Sequence, residues 1–280
     1  MQRYIFLGLC LLITASKLKA QEAKAVAYLQ KAKKAYQSKK LGETQKYLDS
    51  ALQVDNTYAK AYARRGLLKY ELSEMDNALS DYGKAIALVE RQSRNDYLFL
   101  AKLYYRRGAT YHQKLLNKKA LKDFNKALKF NPQYTQAYVA RGVLRENKNN
   151  LKGALKDYSK AISTDTTFAM AYYNRGLVYY NLDKTAKALT DWAKALSINK
   201  KYVDVYLARA FAYQAREDYT MALQDYNQAI KYNVYSAEAY LNRGVVYQKL
   251  GKKNEACADW KQSIKVGGIE AQKYLDKYCK

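Results

Sequence analysis

The sequence predicts an all-α chain: an α-solenoid of stacked helix–turn–helix hairpins closed by one last helix. Three observations carry this. The same residue types return every 34 positions, as in Gly108, Gly142, Gly176 and Gly244, with Ala210 at the missing step. One proline in 280 residues leaves the strongest helix breaker almost absent. Thirty tyrosines against six phenylalanines point to one residue type reused at a fixed structural position. The 49% of apolar residues suits a folded chain rather than a disordered one. Three cysteines exclude a disulfide-dense mini-scaffold. A single histidine argues against His-based relays and metal clusters.

At the N-terminus, Met1-Gln2-Arg3 gives a short positive start, and Tyr4 to Ile13 is a ten-residue apolar run. That length fits the core of an export signal and falls short of the about 20 apolar residues of a membrane-spanning helix. Residues 1–20 therefore read as a signal peptide, with Ala20 as the last residue before cleavage and Ala15 as a second candidate. The alternative is an uncleaved amphipathic start. Leu9 before Cys10 speaks against a lipid anchor. Export implies a periplasmic, cell-surface or secreted protein.

Residues 21–280 form the repeat domain. Around each small residue stand further columns: tyrosine four before it (Tyr28, Tyr62, Tyr104, Tyr138, Tyr172, Tyr206, Tyr240) and, twelve after it, alanine (Ala78, Ala120, Ala154, Ala188, Ala222, Ala256). An aromatic follows (Tyr82, Phe124, Tyr158, Trp192, Tyr226, Trp260), then a second small residue. Steps of three and four place each set on one helical face, so two helices with small residues at their centres pack closely as an antiparallel pair. One such hairpin cannot bury its apolar face alone, but a stack can.

These columns resemble the tetratricopeptide repeat over residues 25–268. The resemblance implies a right-handed superhelix of seven repeats, at about 25–58, 59–92, 101–134, 135–168, 169–202, 203–236 and 237–270, with 271–280 as a cap. It departs from the family in two ways: only Pro132 fits the proline common at the end of each repeat, and the first repeat has Ala32 for glycine and Thr44 for alanine. Eight extra residues near 93–100 either lengthen the flanking helices, with Asn95 or Asp96 as an N-cap, or make a protruding loop; lengthening is favoured.

Charge is uneven: the formal net charge is +25, and residues 101–200 alone hold 20 Lys+Arg against 6 Asp+Glu. Six arginines (65, 107, 141, 175, 209, 243) each precede an aspartate by 16 residues, which places fork and carboxylate at one level of an antiparallel hairpin. Pairing is the favoured reading, over a ladder that binds anions. Lys118, Lys122, Lys126, Lys152, Lys156 and Lys160, at steps of four, form a basic ridge on the second helices. It reads equally as a solvated surface or as an attraction for an acidic protein, anionic lipid or glycan. Nucleic acid is an improbable partner for an exported chain.

The resemblance also implies a groove lined by first helices. Here it would display Lys60, Arg64, Lys102, Tyr105, Arg106, Tyr173, Asn174, Phe211 and Asn242, with Asp204 and Glu238 toward the C-terminal end. Leu29 and Lys33 occupy columns that elsewhere in the family clamp a peptide carboxylate, so that activity is not expected. Cys257 and Cys279 are candidates for a disulfide pinning the cap, or are two free thiols. No phosphate loop, nucleophile elbow or zinc helix occurs. The expected function is an exported scaffold for protein or extended-peptide partners, without cofactor, metal or catalysis; the alternative is an envelope tether acting through the lysine ridge.

Overall fold

The computed structural model describes residues 2–91 and 96–279, with side chains from residue 19 onward. Seven hairpins follow one another: α1 (Gln2–Gln37) with α2 (Leu41–Val54), α3 (Ala59–Glu71) with α4 (Met75–Arg91), α5 (Tyr97–Gln113) with α6 (Asn117–Phe130), α7 (Thr135–Glu146) with α8 (Leu151–Thr164), α9 (Ala169–Asn181) with α10 (Thr185–Ile198), α11 (Val203–Ala215) with α12 (Tyr219–Tyr232), and α13 (Ala237–Lys249) with α14 (Lys253–Lys265). A 3-10 turn, Ile269–Ala271, leads to α15 (Gln272–Tyr278). There is no strand among the described residues. The chain divides into two compact units, residues 1–140 and 141–280. The first holds α1 to α6 and the start of α7; the second holds the rest.

Each hairpin closes through a device that the repeat columns above do not include. The first helix ends in a left-handed residue at Lys39, Ser73, Leu115, Asn149, Asp183, Glu217 and Gly251, with φ from 57° to 73°. The next residue donates its backbone N–H to the carbonyl five positions back, as Leu116 does to Tyr111 at 2.8 Å, satisfying a helix-end acceptor. Only Gly251 meets this geometry without a Cβ penalty.

Five second helices, α2, α6, α8, α10 and α12, stop at an Asx turn. The side chains of Asp55, Asn131, Asp165, Asn199 and Asn233 accept the backbone N–H two residues on, at 2.8 to 3.1 Å. These side chains stop the helix where the family often uses proline.

The cores follow the columns. Ala78, Tyr82, Phe124, Tyr158, Trp192, Tyr226 and Trp260 are buried. At Gly176 the approach is so close that a Cβ would lie 2.5 Å from Trp192 Nε1. Ala32 and Thr44 of the first hairpin are as buried as their counterparts, and Thr44 donates its hydroxyl to the Lys40 carbonyl at 2.9 Å. The extra residues lengthen helices: α4 and α5 each have 17 residues, against 14 in α10 and 13 in α9, and Asp96 caps α5 by accepting from Phe99 N at 3.0 Å. Asn95, the other candidate cap, lies outside the described residues. Residues 2–20 continue into the first hairpin as a single helix, and no described helix is long and apolar enough to cross a membrane.

Candidate functional site: two concavities of opposite polarity

The arginine column is structural. All six arginines meet their aspartates through two bonds each; Arg65 Nε and Nη2 lie 2.8 Å from Asp81 Oδ2 and Oδ1. The aspartates are buried and the arginines less than a quarter exposed. Asp81 holds the Arg65 guanidinium above its ordinary value, as Asp191 and Asp225 do for Arg175 and Arg209. Asp157 carries a double load, since Arg145 Nη1 also reaches its Oδ2 at 2.8 Å. Tyrosines flank the forks: Arg175 lies 5.8 Å from the ring centres of both Tyr172 and Tyr179, and Arg107 and Arg243 sit likewise between two tyrosines. These contacts account for part of the tyrosine excess. The spare nitrogens of Arg65, Arg175 and Arg243 also reach the second helix of the preceding hairpin, at Asp49 (2.7 Å), Ser159 (3.1 Å) and Asn227 (2.6 Å). These forks are consumed by the fold and offer no anion ladder.

In the first unit, Lys60 and Arg64 of α3 and Lys102 and Arg106 of α5 line one concavity of about 340 Å³. Lys33 of α1 joins them over an apolar floor that includes Leu29, Leu67, Phe99 and Leu103. No carboxylate lines it, and none of the five cations is in an ion pair among the described residues. Arg106 also hydrogen-bonds the Tyr82 hydroxyl. Leu29 and Lys33, the two residues at the clamp columns of the first repeat, both line this concavity. Tyr105 is half-buried behind this lining, against Tyr134, which belongs to it. Its ring packs on Phe124 and Tyr134, 5.9 and 5.0 Å between centres, and burial pushes its hydroxyl pKa up.

In the second unit a separate concavity of about 370 Å³ lies over α9, α11 and the first turn of α13. Tyr173, Phe211, Asp204 and Glu238 line it, as the sequence placed them, together with Leu177, Tyr180, Trp192, Leu207 and Ala208. Tyr180 bridges the rings, 5.9 Å from Trp192 and edge-on to Phe211 at 6.2 Å. Burial pushes the Tyr173 hydroxyl up to about 12, helped by Asp204, Glu238 and Glu146. Asn174 and Asn242 are half-buried and are not among the residues lining this concavity.

On the second helices, Lys118, Lys122, Lys152, Lys156 and Lys160 are exposed. Lys126 departs from the ridge: it is half-buried, donates to the Tyr104 hydroxyl at 2.9 Å and lies 4.7 Å from that ring's centre. Cys257 and Cys279 are joined by a disulfide, Cα–Cα 5.8 Å, beside Tyr274 and Tyr278, which pack on Trp260 at 5.2 and 5.8 Å. His112 Nδ1 pairs with Asn117 Oδ1 at 3.1 Å, and no metal-ligating cluster occurs among the described residues.

Comparison with known proteins gives one consistent answer for the fold. Profiles of the tetratricopeptide repeat match residues 101–134, 169–202 and 237–266, and a further TPR repeat profile matches 147–183 and 213–251. Among solved structures, a tetratricopeptide repeat protein from Parabacteroides merdae is 17% identical, with 92% of this chain and 100% of that one covered at a TM-score of 0.65. Pseudomonas aeruginosa pilF is 19% identical over 80% and 98% of the two chains, TM-score 0.67. YrrB, characterised as a TPR protein with an unusual peptide-binding site, is 22% identical over 69% and 95%, TM-score 0.52. The comparison with curated proteins gave no match.

Proposed function

Because this chain belongs to the tetratricopeptide-repeat family, we propose that it is an exported scaffold for protein–protein interaction, holding an extended acidic segment of a partner in the concavity between α1, α3 and α5. The observation that carries this reading is five unpaired cations over an apolar floor, without a carboxylate among them. An acidic peptide would gain charge-assisted hydrogen bonds from Arg64 and Arg106, while alternate apolar side chains would rest on Leu67 and Phe99. The peptide-binding site of YrrB supports the general mode. Nothing in the chemistry asks for a cofactor, and no catalytic role is proposed. The ten-residue apolar run at Tyr4 to Ile13 and the disulfide are what support an oxidising compartment outside the cytosol in this reading.

The test is a fluorescent decapeptide alternating glutamate and leucine, titrated at low and at high salt. Arg64→Glu with Lys102→Glu should abolish binding, and affinity should fall as salt rises. Both substituted residues lie at the concavity, so circular dichroism should remain unchanged. Binding that survives this pair but is lost in Lys152→Glu/Lys156→Glu/Lys160→Glu would instead support the envelope tether, for which those exposed lysines supply the cationic surface. Mass spectrometry of the cell envelope and medium tests export: the expected chain starts at Gln21, and a cytosolic chain retaining Met1 would remove that part of the reading.

A further inference from the structure

The second unit carries a site whose chemistry is opposite to that of the chain as a whole. In a protein of net charge +25, the concavity over α9 and α11 has no cation in its lining. Asp204 and Glu238 stand exposed at its rim, and neither is in an ion pair or a side-chain hydrogen bond among the described residues. Its wall is aromatic: Tyr173, Tyr180 and Phe211, with Trp192 at the base. Phe211 is 49% exposed, an apolar ring left to solvent inside a concavity.

We infer that this concavity receives a lysine or arginine side chain from an extended segment of a partner protein. Such a side chain has an apolar stem and a cationic head, and the site offers a match for each part. The stem lies against Phe211 and Tyr180. The head sits between Asp204 and Glu238 and over the aromatic faces, which attract a cation through their ring quadrupoles. Buried carboxylates elsewhere in this unit are spent on the arginine forks, whereas these two are free to act on a ligand. The strongly positive chain repels small free cations in general, so the gain from this pocket depends on a residue delivered with its backbone. This site is independent of the acidic-segment reading, which uses residues of the first unit alone, and either can fail without the other.

The test uses the whole chain and four blocked pentapeptides differing only in the central residue: lysine, arginine, norleucine or glutamate. Calorimetric titration should give lysine and arginine peptides an affinity at least about tenfold above norleucine, with glutamate weakest. Asp204→Asn/Glu238→Gln should erase that preference without moving the thermal midpoint by more than a degree or two, while Lys102→Glu should leave it intact. Phe211→Ala should weaken both cationic peptides. Three results would overturn the inference: equal binding of lysine and norleucine, a preference that survives in the amide double variant, or butylamine binding as tightly as the lysine peptide. Absence of binding by any peptide up to about 10 mM, weaker than the millimolar range of the poorest specific complexes, would do so as well.

Discussion

Replacing Gly176 by alanine tests whether the helix–helix spacing is set where the structure places it. In an exposed helix this change stabilises by about 1 kcal/mol, because alanine restricts the unfolded backbone. At Gly176 the new Cβ would lie 2.5 Å from Trp192 Nε1 and 2.8 Å from Cδ1. Comfortable separation is about 3.5–4.0 Å, so the indole must retreat by about 1 Å. It is held from two directions: Nε1–H donates to the Tyr173 carbonyl at 3.2 Å, and the Tyr180 ring packs beside it at 5.9 Å. Overpacking of this kind costs about 1–3 kcal/mol, and a lost hydrogen bond adds about 1 kcal/mol. Net destabilisation of about 1–3 kcal/mol is expected. The assay is urea unfolding by circular dichroism, with hydrogen exchange in α9 and α10 as the local readout. Gly42→Ala is the control, since nothing lies within 4 Å of its added Cβ; it should be neutral or stabilising. Ala210 opposite Tyr226 shows that the fold accepts alanine against a smaller aromatic. Gly176→Ala with Trp192→Tyr should therefore recover part of the loss. If Gly176→Ala stabilises as Gly42→Ala does, the close-approach argument is wrong.

Four other outcomes follow from the same geometry. Asp157→Asn leaves Arg141 and Arg145 facing an amide in a buried position, and should cost about 3–5 kcal/mol in denaturant unfolding, more than the same change at Asp225. Leu115→Gly relieves a left-handed residue whose side chain is 80% exposed, and should raise stability by about 1 kcal/mol in a thermal melt. Reducing the Cys257–Cys279 bond, which closes a sequence separation of 22, should cost about 3 kcal/mol and raise hydrogen exchange in α15 before any other helix. Glu146 is held above the usual glutamate range mainly by burial, partly countered by the Tyr158 hydroxyl. A carboxyl raised in the folded state contributes stability below its unfolded value, and loses it as pH climbs through the folded one. The contribution of Glu146 to stability should therefore fall as pH rises above about 4.3, whereas Glu74 and Asp165, held below their ordinary values, act in the opposite sense; Glu146→Gln should remove the Glu146 component in a pH series of melts.

How much could be read from the sequence depended on whether a residue's job was repeated. Tyr82, Trp192 and the six Arg–Asp pairs recur at a fixed period, so their roles were legible from spacing and one argument about antiparallel helices. The turns recur too, at Asp55, Asn131, Asp165, Asn199 and Asn233, but Asp and Asn are common on any polar surface, so their period carries a weaker signal than proline would. The candidate sites were only partly legible. Lys60, Arg64, Lys102 and Arg106 came together as expected, because positions four apart on neighbouring first helices share a face. The packing of Tyr105 on Phe124 and Tyr134 was not legible, because helical spacing gives a direction and not the depth of the neighbouring ring. Lys126 was misplaced for a similar reason: its flexible stem bends back to Tyr104, which no column records. The division into a basic and an acidic-aromatic concavity had a weak signal in the charge order, and only geometry showed which residues share a wall.

The reach of an arginine into the preceding hairpin has a consequence for how the array comes apart. Arg65, Arg175 and Arg243 rivet one hairpin to the one before it through Asp49, Ser159 and Asn227. Glycine stands at the corresponding place before Arg107, at Gly83, and alanine before Arg209, at Ala193. The seams between α4 and α5 and between α10 and α11 therefore lack that rivet. Across the first of these, Tyr104 donates to Glu90 and Lys114 meets Asp76, each at 2.6 Å, so α5 is held to α4 by other bonds; in a linear array whose stability is a sum of neighbour terms, the second is where a cooperative block ends. That seam, between α10 and α11, lies beneath the aromatic concavity. Hairpin α9–α10 can part from hairpin α11–α12 there while each stays folded, so the walls of that concavity can shift against one another.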